Sequence, residues 1–515
     1  MRNLRLLLYS LLLSFPLVFG MTWTVQAGTI TPTLDTARRD LGPDEEVPVI
    51  IYLSDKVDIK KIKDKNQTVR SAKIIKSLID KANATQKDII KQLKAGKAKK
   101  ILSLWGVNGI AARIPVAMID SIASQPGIDR VALDAEITLP PEISPADAGT
   151  GGTATAEWNL DLIRAPDLWA LGYDGNGVVV AIMDTGVDLN HPDIAAKYRG
   201  GTNSWFDPHG EHATPGDLSG HGTWVTGLVV GGDYGGTAIG VAPGARWIAV
   251  KIFNDAGVAA LSDIHAGFQW LLDPNGDLDP EDAPDIVNNS WYLGGTVNAC
   301  DTYFAADIDT LRATGIAVVF SSGNTGPGTD TSVSPANNAG SLAVGAAGEV
   351  GGYIYIADFS GRGPSACDGG IYPRITAPGD FVRTTDLTAG GWIPGSYKTV
   401  SGTSFAAPHI AGGMALLLGA MESRGTPVTV SELEMAVTES ALAIGATSPN
   451  DDAGYGLLDA AAAYDWLLAY TAPPLPDVEP DGDVDGSDLS AFSVAPPPGL
   501  DLPTFAENFG KTPFP

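Results

Sequence analysis

The chain has 515 residues, 44% of them hydrophobic, and a net charge of −27. That length suggests about three domains with real cores and excludes wholesale disorder. Residues 1–150 hold 21 Lys+Arg against 16 Asp+Glu, while residues 151–515 hold 12 against 44, so a basic front (+5) precedes an acidic remainder (−32). The two parts should attract each other, and the acidity argues against nucleic acid as a partner, because phosphate binding needs a basic face.

At the N-terminus, Arg2 and Arg5 precede an apolar run from Leu6 to Phe19, and Val25-Gln26-Ala27 offers small residues at the two positions a signal peptidase reads. This pattern predicts a secretory signal over 1–27, cut after Ala27, and a secreted, soluble product with no membrane contact once the signal is gone. Export permits a disulfide, and the two cysteines allow a single pairing, Cys300 with Cys367.

From Val47 to Ile137 the pattern reads strand (Val47–Leu53), Lys-rich helix within Lys56–Lys100 with Ile74, Leu78 and Ile90 on its apolar face, strand (Ile101–Ile114), helix (Val116–Ala123), strand (Ile128–Leu133). This is a small α+β unit over residues 45–138, followed by a Pro/Gly/Ala linker from Pro140 to Ala156. Between residues 157 and 470, short β-branched runs (Val178–Ile182, Trp247–Ile252, Ile286–Val287, Ile316–Phe320) alternate with helical stretches (Thr223–Val230, Ile264–Leu272, Ala305–Ala313). The expected fold is α/β, a parallel sheet with helices on both faces.

Chemistry concentrates at the ends of those runs. The strand Val178–Ile182 leads into Met183-Asp184-Thr185-Gly186, Gly220-His221-Gly222-Thr223 opens a helix, and Ser401-Gly402-Thr403-Ser404 opens another that runs to Leu418. Acyl transfer needs a nucleophile, a base and a group that fixes the base. Ser404, His221 and Asp184 fit those roles, and the helix start favours a developing oxyanion. Ser321-Ser322-Gly323-Asn324 follows the strand Ile316–Phe320 and offers the Asn324 amide as an oxyanion donor. The order Asp, His, Ser, with Ala406 where a nucleophile elbow needs Gly, excludes the G-x-S-x-G hydrolases.

These motifs resemble the subtilases, with the closer likeness to bacillopeptidase F-type members in Trp270-Leu271-Leu272-Asp273-Pro274-Asn275-Gly276, Asn288-Asn289-Ser290-Trp291 and Phe359-Ser360-Gly361-Arg362-Gly363-Pro364. The resemblance implies a subtilisin-like fold and endopeptidase action on extended protein or peptide substrates. Such substrates would pair with a strand around Gly257 and Ala259 and with a segment at Ser290, beside Gly323. Tyr292 stands where the family usually has Gly, which implies either a reshaped specificity pocket or a local alignment shifted by one residue. The segment Val47–Ile137, with Leu104-Trp105-Gly106-Val107-Asn108-Gly109-Ile110, resembles the family's propeptide, an intramolecular inhibitor released by self-cleavage within Leu139–Ala156. Asp193, in His191-Pro192-Asp193, matches a family calcium-ligand position, although the partner loop is Gly/Ala-rich here (Gly232 to Ala238).

Beyond Pro473, Asp477, Glu479, Asp481, Asp483, Asp485 and Asp488 have the ligand spacing of an EF-hand loop, with Gly482 at the sharp turn, and predict structural calcium in a tail over 473–515. The surroundings resemble half of a dockerin, but dockerins use two loops, so a cohesin-type partner does not follow. Asp273, Asn275, Asp277 and Asp279 alternate like a calcium loop but lack a closing ligand, and read as a surface turn. The competing functional reading is an inactive subtilase-fold, calcium-dependent binding module; retention of Asp184, His221, Asn324 and Ser404 together argues against it. A third is a selective processing protease addressed by its tail.

Overall fold

The structure, a computed structural model, describes residues 28–140, 143, 155–278, 280–393 and 395–471; the signal and tail expectations lie outside them. Val179–Asp184 sits inside an eight-stranded sheet, flanked on one side by Arg246–Lys251 and then Trp205–Phe206, and on the other by Ile286–Asn289, Ala317–Ser321 and Leu342–Val350. Ile375–Pro378 and Tyr353–Ile356 both pair with Leu342–Val350, and only Tyr353–Ile356 runs antiparallel. Because successive side chains point to opposite faces, the strands split their apolar residues between two layers. Val180, Ile182, Trp247, Ala249 and Val319 pack under the helices His221–Val230 and Thr403–Ser423. Ala181, Met183, Ile248, Val250 and Phe320 pack under Leu261–Leu272 and Ala305–Ala313. Burial on both faces explains the continuous apolar runs.

The helix Thr403–Ser423 is long and apolar enough to cross a bilayer, yet 94% of its apolar 18-residue stretch is buried inside this core. His409 lies in it with no exposed surface. Its Nδ1 meets the Phe405 carbonyl at 2.7 Å, and its Nε2 meets Asn159 Nδ2 at 2.8 Å.

The N-terminal unit is a five-stranded sheet in the order Thr29–Ile30, Ile128–Leu133, Glu46–Leu53, Gly109–Pro115, Lys99–Leu104, backed by the helix Gln67–Ala95. It differs from the sequence expectation in three ways. The unit starts earlier, since Thr29–Ile30 pairs with Ile128–Leu133. Ile101–Ile114 is a hairpin of two strands, because Asn108 takes a left-handed φ of 48° in the turn and its side chain bonds Asp55, Thr85 and Gln86. The buried helix stripe runs through Ile74, Ile75, Leu78, Ala82, Gln86, Ile89 and Leu93, leaving Ile90 half-buried.

This unit seats on the helices Leu261–Leu272 and Ala305–Ala313. Tyr52 OH meets His265 Nε2 at 3.0 Å, while His265 Nδ1 meets Asp307 Oδ2 at 2.9 Å, all buried. Burial pushes the Tyr52 phenol up, so it stays a donor. Asp134 accepts from Ser262 N and Oγ at 2.9 and 2.7 Å, capping the first of those helices.

Burial pushes His409 down from 6.5 to about 4. The unfolded chain therefore takes up a proton before the folded one does, so this residue's contribution to stability is complete above about pH 6.5 and is lost progressively as pH falls to about 4. The loss should reach about 3 kcal/mol, and His409→Gln should flatten the profile over that window, as read by denaturant unfolding of a Ser404→Ala chain.

Candidate active site

In an open α/β sheet, functional residues collect outside the carboxyl ends of the strands where chain order reverses. Val179–Asp184 is that point, since later strands add to one side and then to the other. Asp184 ends this strand, Gly257 follows Arg246–Lys251, Ser290 follows Ile286–Asn289, and Gly323-Asn324 follows Ala317–Ser321.

Asp184 is fully buried; its Oδ1 accepts from Thr185 N at 2.7 Å and meets His221 Nδ1 at 2.8 Å. That bond assigns the proton to Nδ1 and makes Nε2 the basic nitrogen. Trp224 and Phe405 pack against the imidazole with ring centroids 6.1 and 5.5 Å away. His221 begins its helix, and the preceding turn is fixed by Asp217, a residue the sequence reading missed. Asp217 Oδ1 accepts from Thr185 Oγ1, Ser219 N and Gly220 N, and Oδ2 from Thr223 N and Oγ1, at 2.7–3.1 Å. Burial pushes its carboxyl up, and these donors work against that. The visible signal was an acid four residues before His221, where a helix start favours negative charge.

Ser404 is the second residue of its helix, and its Oγ donates to the Ser290 carbonyl at 3.1 Å. Pro408 has no N–H, so the Ser404 carbonyl loses its i+4 helix partner. Ser290 Oγ donates to that carbonyl at 2.7 Å. Ser290 therefore holds the Ser404 backbone as well as lying at the expected substrate segment. Asn324 Oδ1 accepts from Thr403 N and Oγ1, both at 2.9 Å, which assigns the amide orientation and leaves Nδ2 on the Gly402 side. Gly323 has φ of +87°, and a Cβ there would meet Val333 Cγ2 at 2.8 Å.

The expected substrate edge carries a segment of the chain itself. Glu136–Thr138 pairs antiparallel with Val258–Ala260, Ala259 facing Ile137, and Leu139 N donates to the Gly257 carbonyl at 3.1 Å. Further on, Ile143 bridges Ser401, three residues before Ser404. Trp291 is buried among Phe268, Phe304 and Phe320, whereas Tyr292 is half-buried, its phenol pushed up by burial.

The subtilase family profile matches residues 175–456. The chain belongs to the subtilase family. Among relatives, it is 37% identical over 458 residues to bacillopeptidase F of Bacillus subtilis (strain 168), covering 81% of this chain and 30% of that one. It is 31% identical over 345 residues to subtilisin E of the same organism, covering 65% of this chain and 76% of that one. The chain thus spans less than a third of the bacillopeptidase F length. Fervidolysin from Fervidobacterium pennivorans shares the fold, with a TM-score of 0.61 at 23% identity, over 89% of this chain and 64% of that one.

Subtilases commonly bind structural calcium, and the Asp193 position fits it poorly. Both Asp193 carboxylate oxygens already hold protein donors, Tyr234 N and Tyr397 OH. Glu211, His212 and Asp255 bring ligand atoms within 4.8 Å of one another, but Asp255 is already paired with His212 and with Lys251 Nζ at 3.0 Å. In the 273–278 turn, the Asp273 carboxylate accepts from Leu278 N and Asn275 bonds Asp277, a self-contained arrangement; Asp279 lies outside the described residues. Asp477, Glu479, Asp481, Asp483, Asp485 and Asp488 also lie outside them. Cys300 and Cys367 are bonded.

Ser290→Ala removes the donor that replaces the Pro408 N–H. Leaving the Ser404 carbonyl unpaired should slow fluorophosphonate labelling roughly tenfold, with the far-UV spectrum unchanged.

Proposed function

We propose that this chain is a secreted serine endopeptidase, made as a self-processing precursor. The observation that carries the reading is the convergence of a buried Asp184, its bond to His221 Nδ1 at 2.8 Å, and Ser404 at a helix start beside Asn324. Ser404 attacks the scissile carbonyl, and His221 takes its proton and returns it to the leaving amine. Asp184 holds the imidazole tautomer and balances its cation. The helix N-terminus and Asn324 Nδ2 receive the oxyanion. Extended protein substrates add a strand to Val258–Ala260, with Gly257, Ala259, Ser290 and Gly323 as contacts.

The N-terminal unit serves as the intramolecular inhibitor. Glu136–Thr138 takes the strand position a substrate would use, and Ile143 touches Ser401, so self-cleavage falls between Leu139 and Ile143. This narrows the broader linker window. Leu139-Pro140 and Pro140-Pro141 place proline nitrogen in the leaving group, which favours Pro141-Glu142 or Glu142-Ile143. The signal pattern of residues 1–27 supports export, and the acidic spacing over 477–488 supports calcium binding by the tail.

Fluorophosphonate should label wild-type protein and not Ser404→Ala, and only the wild type should mature, with a new N-terminus at Glu142 or Ile143 by mass spectrometry. An unlabelled, full-length wild type would favour the binding-module reading. Asn324→Ala should keep labelling detectable and lower turnover roughly 10²–10³-fold, the size known for such a donor in a subtilisin.

A further inference from the structure

Asp193 is buried at the start of the short helix Pro192–Ala195. Its Oδ1 accepts from Tyr234 N at 2.8 Å, its Oδ2 from Tyr397 OH at 2.5 Å, and its backbone carbonyl from Gly232 N at 3.2 Å. Burial and the neighbouring Asp193 push the Tyr397 phenol up, so it remains the donor. The Arg383 guanidinium lies 4.1 Å over the Tyr397 ring and donates to Glu157 Oε1 at 3.0 Å and to Thr237 Oγ1 at 2.9 Å. Thr237 Oγ1 in turn donates to Glu157 Oε1. The Arg383 and Glu157 side chains are only 20% and 11% exposed.

Three stretches of chain meet here. The first is Thr155–Glu157, where Ala156 bridges Ala238 and Glu157 N donates to the Ala238 carbonyl. The second is the loop Gly231–Ala238, which directly follows the His221 helix. The third is the hairpin Val382–Thr385 with Tyr397–Val400, which directly precedes Ser404. A Cβ at Gly235 would stand 2.4 Å from the Tyr397 ring, and one at Gly232 would stand 3.0 Å from Asp193 Oδ1. The loop is therefore glycine where it lies against this cluster.

Carboxylates buried like these need hydrogen-bond donors or a cation. A calcium ion would need six or more free oxygens. Here both Asp193 oxygens face hydrogen-bond donors and a fixed positive charge lies beside Glu157. We propose that the Arg383 guanidinium is the structural cation of this corner, so that the catalytic domain takes no calcium at Asp193 and keeps its fold when calcium is stripped. The guanidinium suits the task because it donates to two oxygens and stacks on an aromatic face at once. Its position ties the elements carrying His221 and Ser404 to the start of the domain.

The test uses the full chain with Ser404→Ala to stop autolysis and Asp481→Ala with Asp483→Ala so that the tail cannot respond. Thermal unfolding is followed in calcium and in excess EGTA. The same Tm is expected in both buffers, and Arg383→Met is expected to lower it by roughly 5 °C in both. A Tm that drops in EGTA before Arg383 is changed, or an Arg383→Met chain that unfolds at the unaltered temperature, overturns the proposal. Should Arg383→Met fail to fold, Tyr397→Phe removes one donor to Asp193 and should lower the Tm by roughly 2 °C in both buffers; a loss of Tm confined to EGTA would overturn the proposal equally.

Discussion

Burying the Asp184 carboxylate at the end of a parallel strand is costly unless its charge is compensated, and the architecture around the site follows from compensating it. One oxygen takes the Thr185 N–H and meets His221 Nδ1; the second has no hydrogen-bond partner among the described residues. The imidazole therefore has to be held firmly. Thr185 and Asp217 do this together: Thr185 Oγ1 accepts from Gly222 N and donates to Asp217, whose oxygens also hold Gly220 N and Thr223 N. The strand end and the helix start are thereby one hydrogen-bonded body, and the position of His221 is set by backbone and not by side-chain freedom.

The same logic of replacing a missing partner recurs at Ser404. Pro408 deprives the Ser404 carbonyl of its helix bond, and Ser290 supplies one while receiving the Ser404 hydroxyl. The helix start at Ser404 and the segment at Ser290 are thus coupled through two hydrogen bonds. The geometry around the reacting groups consequently depends on three strands and two helices that are far apart in sequence.

Charge is organised in the same economical way. The front of the chain is basic and the remainder acidic, yet specific buried contacts seat the N-terminal unit, alongside a shared apolar cluster. Tyr52 meets the His265–Asp307 pair, and Asp134 caps the helix beginning at Leu261. Bulk charge favours encounter, while buried hydrogen bonds set the docked register. Within the acidic body, the Arg383 guanidinium donates to the Glu157 carboxylate and to Thr237 while stacking on Tyr397.

The sequence by itself determined the elements and the chemistry. Continuous apolar runs marked the buried parallel strands, and the strand-end Asp184, helix-opening His221 and Ser404, and Asn324 marked the candidate site. These signals are local, because each depends on a periodicity or a turn within a few residues. The hairpin at Asn108 was legible in its Gly and Asn but was read as one strand, and Leu342–Val350 and Ile375–Pro378 went unnoticed because small residues dilute their pattern. Only the tertiary structure decided the rest: that Asp217 holds the His221 helix, that Ser290 replaces the Pro408 N–H, that Tyr397 and Tyr234 occupy Asp193, and that residues 136–139 lie along Val258–Ala260. Each of these joins residues tens to hundreds of positions apart, and which donor reaches which acceptor is fixed by packing, which no spacing along the chain records.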